Sequence, residues 1–299
     1  MFKSFFRKRN NTLTAIIFLL PSAVVFIVFV FYPILKAFRL SLFEWNNPSK
    51  EPIFIGLENY KELLSDARFM NSLKVTFTYA FSVTFISIIL GLLIATILNN
   101  KNLPFKTFFR GLFFLPTVTP TIVAAMVWII LFNPTYGFIN TILRNFISSP
   151  PNWFSDPDWA LLTLMLLGIW RRLGFTIIIY LAALQNIPSE YYEIAQMDGA
   201  NTLQTFRYVT IPQMLPTTLM LITLGLMDAF MVFDQVLITT RGGPAGVTEV
   251  VSLFLYTDAF TLFKMGKGSA ISVIIFVIIM VITIIQWRLV GFGTNEDVA

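Results

Sequence analysis

Four charged side chains stand inside long apolar segments, and their placement points to the binding of a polar solute. Arg171 and Arg172 lie near the middle of one apolar segment, and Asp228 and Asp234 lie in the next one. A charge inside a membrane span is costly, and such residues usually serve a function. These four either form ion pairs between two helices or face a polar cavity, where they would hydrogen-bond a hydroxylated solute. We expect one arginine to be structural and Asp234 to lie on the solute path.

The residues around these charges extend the candidate solute path. On a continuous helix Asp234 would share one face with Met227, Phe230 and Met231, which precede it by seven, four and three residues. The aromatic rings of Trp170 and Phe230 are suited either to the helix core or to stacking on the faces of a sugar ring. Both interpretations stay open at the level of the sequence.

Several other kinds of chemistry are excluded by composition. The chain has no Cys and no His, so disulfides, thiolate or imidazole metal sites and histidine general bases are impossible. We therefore predict no catalytic residue and no metal ligand. No phosphate-binding loop is present either, because the nearest string, 264–269, lacks the first Gly and the Gly-Lys-Ser order. The chain is predicted to be a non-enzyme that binds no ATP by that route.

Hydropathy defines the fold class. Of 299 residues, 56% are hydrophobic and only 12% are charged, and the mean hydropathy is +0.75. Together with apolar runs of about 20 residues or longer, these values predict an all-α polytopic membrane protein. We expect a single transmembrane domain over 1–299. Its six predicted spans are 13–35, 72–98, 108–132, 159–184, 215–239 and 269–289.

The connecting segments suggest kinks, a surface helix and an orientation. Pro116 and Pro120 permit kinks in the third span, and a surface helix is predicted over 137–147. The first apolar run is too long for a signal peptide and lacks a cleavage site. Basic residues before it place the N-terminus in the cytoplasm. Six spans then leave both termini and 185–214 on the cytoplasmic side of the membrane.

The polar interval 186–216 is predicted to form two short helices joined by a turn. Pro188 suits a first helical position, with Ser189 or Glu190 as a cap, and Asp198-Gly199 ends the helix. A second helix is expected over 202–208, ending before Pro212. On a membrane surface, the apolar side chains of both helices must face another protein. These side chains are Ile194, Ala195, Met197, Leu203 and Phe206.

This interval resembles the cytoplasmic coupling loop of bacterial ABC importer permeases. That signature reads Glu-Ala-Ala, three residues, Gly, nine residues, then Ile-x-Leu-Pro, and Glu193, Ala195, Gly199 and Pro212 stand at its positions. Ile194 departs from the signature. GLENY, FNPTYGFIN, IWRRLGF, YLAALQNIP and FDQVLITTRGGPAG also resemble the carbohydrate-uptake branch of the maltose and glycerol-3-phosphate type. Over roughly 12–290 the chain is similar to the first of the two maltose-system permeases, without its large periplasmic insertion.

The resemblance implies a type I importer permease fold, partners and site residues. The implied partners are a second, different permease, two copies of a cytoplasmic ATPase that holds ATP and Mg²⁺, and an extracytoplasmic solute-binding protein. This chain would bind no cofactor itself. The residues implied in ATPase coupling are Glu190, Glu193, Ile194, Ala195, Asp198, Gly199, Ala200 and Phe206. Those implied in the solute path are Trp170, Arg171, Arg172, Gly174, Phe175, Met227, Asp228, Phe230, Met231 and Asp234.

Three alternatives remain open. The cargo could be a polyol, a sugar phosphate or an anionic oligosaccharide, because the pair Arg171 and Arg172 suits a carboxylate or phosphate. A self-sufficient secondary transporter would need coupling-ion sites and usually internal repeats, which the sequence does not show. A membrane-embedded transferase would want a catalytic acid and metal ligands, and the lack of His and Cys argues against it.

Overall fold

The computed structural model of the protein describes residues 17–46, 49, 51–100 and 103–291. The basic N-terminal residues and the predicted start of the first span at 13 lie outside this part of the chain. The helices are α1 Ile17–Leu40, α2 Glu58–Ser65, α3 Ala67–Asn99, α4 Lys106–Val118, α5 Thr121–Leu131, α6 Phe138–Leu143, α7 Pro157–Gln185, α8 Ser189–Met197, α9 Thr202–Thr205, α10 Ile211–Phe230, α11 Asp234–Thr239, α12 Val251–Tyr256 and α13 Met265–Gly291. Short strands β1 Phe43–Glu44 and β2 Ile53–Phe54 pair antiparallel.

The membrane spans follow the hydropathy closely. Five helical stretches are long and apolar enough to cross a bilayer: α1, α3, α7, the stretch Thr202–Thr239, and α13. A sixth span results if the bent pair α4 and α5 is counted as one. The predicted all-α architecture with six spans is therefore confirmed. The predicted surface helix over 137–147 is shorter, because only Phe138–Leu143 is helical.

The third span is broken rather than kinked, which corrects the prediction of one helix over 108–132. Helices α4 and α5 meet at 103°. Thr119 is extended after α4, and Pro120 stands immediately before α5. Pro has no amide proton to donate to the helix ladder, and it disfavours helical backbone in the residue before it. Pro116, by contrast, lies within α4.

The chain forms two compact units by its internal contacts. Among the described residues, the first comprises those within 17–65 together with Leu255–Ile274, and the second comprises those within Asp66–Phe254 together with 275–291. The prediction of one domain over 1–299 stays a prediction.

The first unit is held by the GLENY motif and a buried lysine. The Asn59 side-chain amide donates to the carbonyls of Ser41 and Phe43, at 2.9 and 3.0 Å, which ties α2 to the β-hairpin. Lys267 is buried and lies 2.9 Å from Glu62 and 3.6 Å from Asp258. Since a buried ammonium is costly unless it is paired, the two carboxylates stabilise its placement at the start of α13.

The second unit is a bundle in which α3 packs against α7 and α10, and α4 packs against α7. Small residues allow these helices to approach closely, as is common in membrane interiors. A Cβ added at Gly91 on α3 would lie 2.5 Å from Cγ2 of Thr176 on α7. A Cβ added at Gly168 on α7 would likewise clash with the Tyr79 hydroxyl. The close packing of α3 on α7 therefore fixes the helices that carry the polar residues described below.

Gly91→Leu should lower the thermal stability of the permease in detergent. Overpacking a tight helix contact costs about 1–3 kcal/mol, because the neighbouring helix has to move. The matched control is Gly111→Leu, since a Cβ at Gly111 meets nothing within 4 Å. The unfolding midpoints of the two variants and the wild type provide the measurement. Equal midpoints for the two variants would show that the α3–α7 contact is not tight.

Candidate functional site

Two broken spans position the candidate site. One break separates α4 from α5, and the other is the non-helical segment 231–233 between α10 and α11. The stretch Thr202–Thr239 contains the predicted fifth span over 215–239, but the second break interrupts its helix. This break also removes the expected shared face of Asp234 with Met227 and Phe230, because Asp234 begins a new helix. Helix α11 packs against α5, so segments that follow the two breaks lie side by side.

A polar cavity of about 440 Å³ lies where these elements meet. Arg171 and Arg172 reach it from the midpoint of α7, which is 29 residues long. Irregular backbone at membrane depth is tolerated where it lines a cavity or is buried in protein. The lining residues are Tyr79, Val83, Thr117, Thr121, Gly168, Arg171, Arg172, Phe175, Asp228, Ala229, Met231, Val232, Phe233, Asp234 and Gln235. All four charges singled out by the sequence are thus brought together.

Helix α7 contributes one face to the cavity, and two predicted path residues lie off that face. Gly168, Arg171, Arg172 and Phe175 follow at spacings of three, one and three residues, which places them along one side of a helix. Trp170 packs instead near Trp128 of α5, with ring centroids 5.7 Å apart. Gly174 faces α4, where an added Cβ would lie 2.7 Å from Oγ1 of Thr117 and close to the Phe113 carbonyl.

Two further predicted residues, Met227 and Phe230, also lie away from the cavity. Both line a narrow crevice beside α13 residues. Phe230 is buried, and its ring meets Phe77 edge to face at 5.0 Å. The interpretation of Phe230 as core residue therefore fits its surroundings. Helical periodicity explains the outcome, because 227 and 230 share the side of α10 that faces α13, and Asp228 points elsewhere.

Arg172 and Asp228 form the expected ion pair between adjacent spans. Nη1 of Arg172 lies 3.1 Å from Oδ2 of Asp228, and Nη2 donates to the Leu221 carbonyl at 3.1 Å. The arginine side chain is only 10% exposed, whereas the aspartate side chain is 76% exposed in this chain. The guanidinium is therefore anchored between helices, and its partner carboxylate faces the open side of the cavity.

Arg171 and Asp234 line the same cavity without such a partner. Among the residues that the structure describes, neither comes within ion-pair distance of an opposite charge. Nε of Arg171 is buried and makes no hydrogen bond. The Arg171 carbonyl accepts a 3.1 Å hydrogen bond from Thr117, so α4 helps to fix this part of α7. Two opposite charges in the cavity thus have no ion-pair partner in the described part of the chain.

A buried polar pair in the wall of the cavity was not predicted from the sequence. The Gln235 side-chain amide donates to the hydroxyl of Tyr79, and both residues are nearly inaccessible to solvent. This bond joins α3 to the first turn of α11, directly beside Asp234. Thr117 and Thr121 were missed as well, although they flank the break around Pro120. The signal that could have found these residues is polarity inside an apolar run.

The segment over 189–205 forms the expected two helices, with a defined turn. Gly199 has φ +77°, its amide donates to the Gln196 carbonyl, and the Ala200 amide donates to the Ala195 carbonyl. These two bonds form a Schellman motif, in which Gly supplies the left-handed residue. Pro188 stands before the first helical residue rather than in it, and no side chain caps α8. Glu193 lies in the middle of α8, so it does not cap its own helix.

The second short helix does not end before Pro212, which corrects the prediction. Asn201 and Gln204 form a reciprocal capping box at the start of α9. From there the chain continues through a π-helical segment, Phe206–Thr210, directly into α10. Local π adjustments allow a membrane helix to tolerate Pro212. The polar segment is therefore joined rigidly to the span that ends at the cavity.

An apolar surface is exposed on this protruding segment. Met197 is 87% exposed and Leu203 is 74% exposed, and Ile194 is also exposed. Ala195 and Phe206 are half-buried, so the predicted apolar face is only partly available. Glu190, Glu193, Asp198 and Gly199 are exposed, while Ala200 is half-buried. This surface, which we call the coupling surface, has the character of a protein contact rather than a solvated face.

A cavity with four charged side chains between spanning helices, and an exposed apolar segment joined to one of these helices, are features of a membrane transport subunit. The chain belongs to the family of binding-protein-dependent transport system inner membrane components, whose family model matches residues 87–290. The family expected from the sequence is thereby confirmed. The chain is an ABC importer permease, a transport subunit rather than an enzyme.

Relatives and a solved structure agree with this family. YurN of Bacillus subtilis, a probable ABC transporter permease protein, is 35% identical over 290 residues, which are 96% of this chain and 99% of YurN. The trehalose/maltose transport system permease protein MalF of Thermococcus litoralis is 34% identical over 274 residues, 92% of each chain. In the crystal structure of a bacterial ABC transporter involved in alginate import, one chain superposes on this one with a TM-score of 0.85 at 21% identity. The superposition covers 98% of this chain and 100% of that one. The last likeness supports the fold alone.

Proposed function

We propose that this chain is one membrane-spanning half of an ATP-driven importer for a sugar or oligosaccharide. The observation that carries the proposal is the polar cavity at mid-depth of the spanning helices, with Arg171 and Asp234 uncommitted. Carboxylate and guanidinium groups hydrogen-bond hydroxyl-rich molecules strongly. The similarity to a trehalose/maltose permease supports carbohydrate as the cargo class. Helices that only cross the bilayer would not need charged side chains at this depth, because such charges are costly there.

The proposed partners complete both the cavity and the coupling surface. The Asp228 side chain is 76% exposed in this chain, although it lies in a cavity between spans. A second, different permease would cover this open side and form a heterodimer. Two copies of a cytoplasmic ABC ATPase would hold ATP and Mg²⁺, and one would receive the coupling surface. An extracytoplasmic solute-binding protein would deliver the carbohydrate.

The proposed orientation places both termini and 186–216 on the cytoplasmic side of a bacterial or archaeal cytoplasmic membrane. The basic residues Lys3, Arg7, Lys8 and Arg9 support a cytoplasmic N-terminus under the positive-inside rule. An even number of spans then returns the C-terminus to the same side. This orientation presents the coupling surface to a cytoplasmic ATPase.

The mechanism that fits this geometry is alternating access. ATP binding would bring the two ATPase subunits together and move the segment docked on them. Because α9 continues through the π-helical segment into α10, this movement would be transmitted to the break at 231–233. The cavity would then open outward, and hydrolysis would reverse the change. Each step requires two states that ATP or solute stabilises differently.

The proposed function is tested by deletion and by purification. In cells lacking the chain, we expect loss of growth on at least one carbohydrate as sole carbon source, with recovery on expression of the wild type. The purified full-length chain should hydrolyse no ATP, because no phosphate-binding loop is present. An ABC ATPase should co-purify from native membranes. Unimpaired growth on every carbohydrate tested, or vanadate-sensitive hydrolysis by the isolated chain, would contradict the proposal.

A further inference from the structure

We propose that the charges of the cavity are balanced within this chain, so that the cavity takes a neutral carbohydrate and disfavours a uronate or sugar phosphate. The inference rests on the proposed function, because it assigns the charge of the cargo that the cavity would hold. From sequence alone, the adjacent Arg171 and Arg172 left an anionic cargo open as an alternative. The structure distinguishes the two arginines.

The charge of Arg172 is already committed to this chain. Its guanidinium binds Asp228 at 3.1 Å and the Leu221 carbonyl at 3.1 Å. It is also wedged between helices, since a Cβ added at Gly225 would lie 2.7 Å from Nη2 of Arg172 and 2.6 Å from Cγ2 of Thr84. The Arg172 side chain is only 10% exposed and its charge is already paired with Asp228, so a solute anion gains little from it. The second cation of the pair is therefore not available to a carboxylate or phosphate.

The remaining charges of the cavity cancel as well. Arg171 and Asp234 both line it, one positive and one negative, and the described residues that line it include no further charged side chain. The formal charges of Arg171, Arg172, Asp228 and Asp234 sum to zero. Tyr79 and Gln235 are hydrogen-bonded to each other and add no charge. An anion entering the cavity gains no net counter-charge from this chain to offset its desolvation.

A neutral hydroxylated solute matches the two uncommitted groups. The Asp234 carboxylate only accepts hydrogen bonds, and the Arg171 guanidinium only donates them. A sugar hydroxyl both donates and accepts, so it can satisfy either group without leaving a charge unbalanced. A carboxylate or phosphate accepts only, and it would be repelled by Asp234 while it approached Arg171.

The absence of cysteine makes the cavity charge directly measurable. Met231 is 68% exposed and lines the cavity, so Met231→Cys places one thiol there in a chain that has no other. The purified full-length chain would be treated with two methanethiosulfonates, one carrying a sulfonate and the other a quaternary ammonium. In each case the thiolate attacks the reagent sulfur, forms a mixed disulfide and releases methanesulfinate. Mass spectrometry gives the two rates.

We divide the rate of modification by the anionic reagent by the rate for the cationic reagent. For the thiol at position 231, this ratio is expected to be close to that of an exposed reference thiol. Ser148→Cys, on an exposed loop, supplies the reference. In the Met231→Cys background, Asp228→Asn should raise the ratio about threefold or more, and Arg171→Gln should lower it by a similar factor. The asparagine keeps the shape and one hydrogen-bonding oxygen for Arg172, so folding should be preserved. The sugar itself is not needed for this measurement.

Two outcomes would overturn the inference. One is an unmodified cavity that already favours the anionic reagent several-fold over the reference thiol. The other is protection of the thiol at position 231 by trehalose 6-phosphate at a concentration at which trehalose gives none. Neither rate depends on transport, so failure of this proposal and failure of the proposed function are distinguishable. Carbohydrate-dependent growth with an anion-selective cavity would leave the function intact and reject only the charge assignment.

Discussion

Replacing Gly199 by valine is expected to abolish transport while the permease still reaches the membrane. Gly199 holds φ +77° at the end of α8, where the Ala195 and Gln196 carbonyls receive the last two amides of the Schellman motif. A left-handed conformation costs an L-residue about 1–2 kcal/mol, and a β-branched side chain resists it further. The turn would open, and the exposed faces of α8 and α9 would lose their fixed relation. An ATPase subunit would then no longer fit both.

The backbone explanation has a matched control in Gly199→Asn. Asparagine adopts the left-handed conformation far more readily than valine does, so this variant should retain most uptake. A Cβ at this position meets nothing within 4 Å, which excludes a simple clash as the cause. Membrane level by immunoblot, uptake in cells and co-purification of the ATPase give the comparison. Wild-type uptake by a well-expressed Gly199→Val variant would refute a role for this turn.

Asp234→Asn is expected to weaken transport through solute binding. Asp234 lines the cavity at the start of α11 and has no ion-pair partner among the described residues, so its carboxylate is free for solute hydroxyls. Hydrogen bonds to a charged group are worth about 1.5–3 kcal/mol, so the concentration for half-maximal uptake should rise about tenfold or more. Asparagine preserves size and the beginning of the helix, which limits any effect on folding.

The control for Asp234→Asn is the same substitution at Asp158. This residue is exposed in the first turn of α7 and does not line the cavity. Asp158→Asn should leave uptake kinetics unchanged. Uptake measured over a range of carbohydrate concentrations separates a binding defect from a loss of protein. Unchanged kinetics in Asp234→Asn would remove this residue from the solute path.

The sequence by itself determined the features that depend on local physics. The apolar runs had to become spanning helices, because a backbone in hydrocarbon must satisfy its own hydrogen bonds. Gly199 had to end α8, since few other residues accept its backbone conformation. The coupling-loop spacing around Glu193 and Gly199 was sufficient to indicate the family, which the comparison with known proteins confirmed. These features require no knowledge of which helices are neighbours.

The tertiary structure decided which polar groups meet. Arg172 and Asp228 are 56 residues apart, and Tyr79 and Gln235 are 156 apart, so only helix packing could select these pairs. The break at 231–233 was not visible in the hydropathy, because its residues are as apolar as a helix interior. Pro212 was expected to end a helix, yet the preceding π-helical segment accommodates it. Hydropathy reports the free energy of transferring each residue into lipid. The cavity depends instead on where the packed helices α3, α7, α10 and α11 leave space between them.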